Sequence, residues 1–180
     1  MHGIQTTVLL TAAALAVSAC SDDDHHDPLA PTVAFVESPV SAIATPALPF
    51  RGTVEATETH FISDQGIFYG NVSGTGVATQ LGRFTLDDQE IGNPATLAGN
   101  VTIVMRAANG DMLTATGPAQ AMPNQSFTTL TNVETVTITG GTGRFAGATG
   151  SFVLERVIDL TAGSPYPSRG SLSGTIVLAH

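Results

Sequence analysis

The sequence predicts an all-β domain over Leu48–His180, an eight-stranded antiparallel sheet closed into a β-barrel. Three observations predict it. Apolar and polar residues alternate along run after run, and no segment of the domain carries a convincing 3.6-residue period. Turn-forming residues punctuate the runs. Glycine is abundant, 19 in all, yet after Gly3 the next is Gly52, so the rest gather where strands must coil or bend.

Eight runs read as strands: Leu48–Thr59, Ile67–Thr79, Leu81–Ile91, Leu97–Ala108, Asp111–Ala121, Phe127–Gly140, Gly143–Leu160 and Arg169–Ala179. In the last, Leu172, Gly174, Ile176 and Leu178 alternate with Ser171, Ser173 and Thr175. Asn109-Gly110 between apolar runs predicts a hairpin with a type I′ turn, and Gly140-Gly141-Thr142-Gly143 predicts a second. An even number of long antiparallel strands can close on itself and remove its exposed edges. A membrane-spanning barrel would want aromatic girdles, and eight Phe, two Tyr and no Trp do not supply them.

Composition excludes some functions. The net charge is −9, there is no Lys, and the six Arg are scattered, so no basic face can draw on phosphate counterion release. No nucleic-acid partner is expected. A single cysteine, Cys20, rules out a disulfide framework.

The N-terminus reads as an address. Thr6–Val17 is an apolar stretch of 12 residues, too short for a permanent membrane helix. Val17-Ser18-Ala19-Cys20 follows and resembles the bacterial lipobox, although Met1–Gln5 lacks the usual Lys or Arg. The expected organisation is therefore a lipoprotein signal peptide at 1–19, a tether at 20–47 and the barrel at 48–180. Cys20 would carry the lipid and hold the protein to a membrane in the cell envelope. With Ser21 rather than Asp after it, the outer membrane is the expected destination in a Gram-negative host.

The tether holds Asp22, Asp23, Asp24, Asp27 and Glu37 without an Arg, and five of the ten prolines fall by Pro49. Like charges repel and proline lacks the ladder's amide donor, so an extended chain is expected. Its Asp22-Asp23-Asp24-His25-His26-Asp27 tract could hold divalent cations only weakly, because binding would have to order the chain. No metal site and no cofactor is expected. Gly141-x-Gly143-x-x-Ala146 matches a dinucleotide fingerprint in letters alone, since a strand rather than a helix is expected after it.

The stretch Thr137–Phe152, read as TITGGTGRFAGATGSF, carries a more specific signal. It resembles the hairpin shared by plant allene oxide cyclases and dirigent proteins, Gly-Gly-[Ser/Thr]-Gly-x-Phe-x-Gly-Ala-x-Gly, matched here by Gly140, Gly141, Gly143, Phe145, Gly147 and Gly150. The resemblance implies an allene oxide cyclase/dirigent-like eight-stranded barrel with a ligand-accepting lumen, and a homo-oligomer, dimer or trimer. The hairpin is structural and carries fold better than function. The lumenal Glu and Asn of the cyclases, and the Asp and Arg of the dirigent proteins, have no motif-level counterpart here.

Alternation singles out four candidate lumenal residues. Phe50, Gly52, Val54, Ala56, Glu58 and His60 share one face of the first strand, and Leu130, Asn132, Glu134, Val136 and Ile138 share one face of the sixth. A two-residue loop at Gly140 would set Glu134 opposite Thr149 and Asn132 opposite Ser151. A carboxyl flanked by aliphatic residues has the raised pKa that acid–base work needs. A one-residue slip would instead invert the face. Glu58, His60, Asn132 and Glu134 are thus the candidate catalytic residues, should the protein be an enzyme. With no nucleophile elbow and no Cys in the domain, the leading expectation is non-enzymatic: an exported barrel that binds a small apolar ligand or an envelope partner. The alternative is a cyclase- or isomerase-like or dirigent-like activity in the lumen.

Overall fold

In each strand the period-2 alternation puts one set of side chains inside and the other outside, and curling the sheet until its edges meet buries the inner set. The computed structural model describes residues 45–179, and there the chain is a closed eight-stranded antiparallel barrel with neighbouring strands consecutive in sequence. The strands are β1 (Leu48–Ile62), β2 (Phe68–Ala78), β3 (Gly82–Asn93), β4 (Ala98–Ala107), β5 (Met112–Pro123), β6 (Thr129–Gly141), β7 (Thr149–Asp159) and β8 (Tyr166–Val177). Closure is made by β1 against β8, from Leu48 opposite Ile176 to Glu58 opposite Tyr166.

Two hairpins differ from expectation. At Asn109-Gly110 only the glycine has positive φ, at 91°, so the turn is not the doubly left-handed type I′. The Asn109 side chain holds it instead, accepting from the Asp111 amide at 3.1 Å and donating to the Asp111 carboxylate at 2.9 Å. The Gly140 hairpin is longer than a two-residue loop. A 3-10 turn, Gly143–Phe145, interrupts it, so β7 begins at Thr149 rather than Gly143. Gly143 takes a φ of +56°, and a Cβ there would lie 1.8 Å from the Asp111 Oδ1. The turn returns Phe145 to the core, fully buried, with the Arg144 guanidinium 4.8 Å above its ring. The longer excursion resets the β6–β7 register: Glu134 lies opposite Leu154 and Asn132 opposite Arg156. The strand ends shift too, since β1 runs on to Ile62 and β8 starts three residues early at Tyr166.

The interior divides along the barrel axis. Toward the end where β1 begins, Phe50, Phe84, Leu86, Met105, Leu113, Ile138, Phe145, Phe152 and Ile176 form one apolar cluster with the rest of the core. Phe50 and Phe152 meet edge to face at 5.2 Å and 70°, a favoured aromatic arrangement. Each such side chain contributes about 1.5–3 kcal/mol through burial. The other end is polar.

Candidate functional site

The inner face of β3 shows how the polar end arises. Phe84, Leu86, Asp88 and Glu90 occupy successive inward positions, so the parity that carries two core residues carries two carboxyls next. The same happens on β1, where Val54 leads to Glu58 and His60, on β6 with Asn132 and Glu134, and on β7, where Phe152 and Leu154 lead to Arg156. Glu58, Asp88, Glu90, Asn132, Glu134, Arg156 and Ser168 are all buried together at this end. Small partners make room for them. Gly70 lies opposite Glu90, Ala119 opposite Glu134 and Gly170 opposite Arg156. A Cβ on Gly170 would come within 2.8 Å of the Arg156 Cγ.

Arg156 is the hub, with no side-chain exposure. Its Nη1 donates to Glu58 Oε1 at 2.6 Å, and its Nη2 donates to Glu134 Oε1 at 2.5 Å and to Asp88 Oδ2 at 3.2 Å. Asn132 Nδ2 bridges the second tier, donating to Glu90 Oε2 and Glu134 Oε1, both at 3.1 Å. His60 Nε2 lies 3.0 Å from Glu58 Oε2. The His60 ring stacks on Tyr166 at 5.3 Å and tilts against Phe68 at 5.2 Å. With 18% of its side chain exposed, His60 links the buried tier to the mouth.

Four carboxyl groups face one guanidinium, so they cannot all ionise. Asp88 and Glu134 touch the same nitrogen, and two like charges about 4 Å apart repel by about 4 kcal/mol at a protein-like effective dielectric. Burial, followed by the Glu134 charge, pushes the Asp88 carboxyl up to about 8 despite Arg156. Burial likewise raises Glu134 and Glu90, each against the pull of Arg156. Glu58 goes the other way: burial raises it, but the His60 hydrogen bond and the Arg156 charge outweigh burial. Burial also disfavours the Arg156 cation, and Glu134, Glu58 and Asp88 more than offset that, so the guanidinium stays charged. The cluster therefore sets carboxyls of opposite tendency side by side, Glu58 drawn toward its ionised form and Asp88 toward its protonated one.

Hydrogen bonding in the cluster is unbalanced. Asp88 Oδ1, Asn132 Oδ1 and Glu134 Oε2 are buried without a partner, as is one donor, Arg156 Nε. The proton on Asp88 can serve one of these oxygens, and native cores seldom leave the others unmet without reason.

All four residues singled out by alternation, Glu58, His60, Asn132 and Glu134, stand in this one network. Thr149 and Ser151, expected opposite Glu134 and Asn132, lie elsewhere on outward positions. Sequence reasoning missed Asp88, Glu90 and Arg156. The available signal was a charged residue in the apolar parity of an alternating strand, and on β7 it is blurred because Val153 and Val157 make the outer face apolar too. Among the described residues no group of three or more His, Cys, Asp or Glu is arranged to hold a metal ion. A groove runs over the outer wall past Thr53, Thr75, Arg83, Arg106 and Arg169, away from this network. Cys20, the leader and the tether as far as residue 44 lie outside the described residues. Compared with known proteins, the chain matches no family model, no curated protein and no solved structure.

Proposed function

We propose that this protein is an exported, lipid-anchored binding barrel that receives a small molecule at the polar mouth of its lumen. The observation that carries the reading is the division of the interior. One half is filled by its own apolar side chains, while the other presents buried polar groups behind an aromatic rim of His60, Phe68 and Tyr166. Binding sites combine apolar walls with a few convergent polar groups, and this end has both. The apolar part of a ligand would rest on the rim, with its polar part toward Glu58 and Glu90. The lipobox-like Val17–Cys20 supports export and anchoring at the cell envelope, the outer membrane if the host is Gram-negative. The Gly140–Gly150 hairpin supports kinship with allene oxide cyclase/dirigent-like barrels.

The test is a saturation-transfer NMR screen of a small-molecule library against the full chain and against Tyr166→Ala. Hits that perturb the His60 ring and weaken in the variant are expected. Hits that bind both proteins equally, or that map to the outer wall, would overturn the placement.

One observation favours a second reading, acid–base isomerisation or cyclisation at the same mouth. Neighbouring carboxyls whose pKa values are driven apart, Glu58 down and Asp88 up, are the arrangement that general base and general acid need. Turnover abolished by Glu58→Gln, with ligand binding retained, would establish it.

A further inference from the structure

The network sets four carboxyls against one guanidinium and leaves the Asn132 Oδ1 without a donor, and both features point to the same kind of ligand. We infer that the polar mouth selects a molecule carrying a primary ammonium group. The inference rests on the proposed seat at the mouth and names the chemistry of its occupant.

Two independent observations support it. The first is the unpartnered Asn132 Oδ1: a neutral amide, buried, its nitrogen spent on Glu90 and Glu134 and its oxygen left without a donor. An ammonium group brings three donors and accepts nothing. The second is the rim. The His60 ring, packed between Phe68 and Tyr166, reaches Glu58 at 3.0 Å, and aromatic rings attract cations. An anion would meet four carboxyls and could turn only to the unpartnered Arg156 Nε, because Nη1 and Nη2 are engaged by Glu58, Glu134 and Asp88. A divalent metal would want its oxygens around a common point, whereas these carboxylates are spread around Arg156.

The groups facing the seat are Glu58 and His60 from β1, Asp88 and Glu90 from β3, Asn132 and Glu134 from β6, Arg156 from β7, and Tyr166 and Ser168 from β8. The inward positions of β2, β4 and β5 at this level, among them Phe68, Gly70, Gly99, Val101, Ile103 and Ala119, carry no charge. An arriving ammonium therefore replaces the proton that burial keeps on Asp88, and its affinity rises with pH.

Three probes of equal tail, butylammonium, butanol and butyrate, separate the possibilities when titrated into the full chain at pH 6 and pH 8. The His60 ring signals and calorimetry are the readouts. Butylammonium should shift His60 saturably and bind at least fivefold tighter at pH 8, with proton release. Butyrate should do neither. Glu90→Gln should weaken butylammonium at least fivefold. Asp88→Asn should flatten the pH dependence while leaving the His60 shift in place, and it serves if the Glu90 variant does not fold. Equal or stronger binding of butanol or butyrate at His60 would overturn the ammonium inference and leave the mouth as the seat. Calcium shifting the same signals more strongly than butylammonium would also overturn it, in favour of a metal. Silence of all three probes at His60, while library hits still map there, would sink the ammonium inference alone. Silence of library and probes together would sink the seat as well.

Discussion

The two halves of the lumen use the same backbone device for opposite chemistry. In the apolar half, inward positions on all eight strands carry residues such as Phe50, Leu86, Leu113 and Leu154, whose burial is favourable wherever they land. In the polar half, the same parity carries Glu58, Asp88, Glu90, Glu134 and Arg156, whose burial is unfavourable unless each finds a partner. The first half tolerates small shifts because burial has no direction. The second depends on register, since Arg156 reaches Glu58, Asp88 and Glu134 only when β1, β3, β6 and β7 are all correctly set. The apolar half supplies stability, and the polar half supplies the convergent charged groups on which the proposed binding rests.

The sharpest way to break this contrast is to remove the hub. Arg156→Met should destabilise the barrel by about 3–5 kcal/mol at neutral pH, because it strands carboxylates in a buried site. Much of that loss should return near pH 5, where the carboxyls can take up protons. Leu154→Ala, two positions along the same strand in the apolar half, should cost about 2–5 kcal/mol at both pH values. Chemical denaturation of both variants at the two pH values checks the pair. An Arg156→Met loss that ignores pH would show that the polar half is held together by packing rather than charge.

A smaller effect should appear in the unmodified protein. Asp88 has a folded value of about 8 against an ordinary 3.8, so between those values only the folded chain holds its proton. Stability from this group is complete below 3.8 and is lost as pH rises through about 8. Glu58, lowered on folding, works the other way: its contribution is present above 4.5 and is lost as pH falls through its folded value. The melting temperature should therefore be higher near pH 5.5 than near pH 8, and Asp88→Asn should flatten that difference. A wild-type melting temperature that climbs toward pH 8 would contradict the raised carboxyls.

The smallest expected change lies at the apolar end. Gly143→Val puts a β-branched residue at φ +56° against the Asp111 carboxylate and should cost about 1–3 kcal/mol. Gly141→Val should cost a similar amount for a different reason, since its Cβ would lie 2.0 Å from the Met112 carbonyl oxygen without any positive φ. Neither should change the His60 signals at the opposite mouth. Tolerance of Val at both positions would show that the hairpin is not held by backbone geometry.

Much of the fold was legible because alternation is local. Strand number, closure and the inner placement of Glu58, His60, Asn132 and Glu134 all follow from period-2 patterning and turn residues within each run. The β6–β7 register was not legible. It depends on whether Thr142–Ala148 makes a tight loop or a 3-10 turn, and Gly140, Gly141 and Gly143 permit both. That one feature set Arg156, rather than Ser151, opposite Asn132.

The sequence by itself thus determined which residues on each strand share a face, because side-chain direction alternates regardless of neighbours. Only the tertiary structure decided which of those faces meet at the same height in the barrel. Arg156 and Glu58 are 98 residues apart in the chain and 2.6 Å apart in the lumen, and no local pattern in either strand encodes that meeting. The accumulated register of eight ladders does, and closure of the last upon the first brings the charges together.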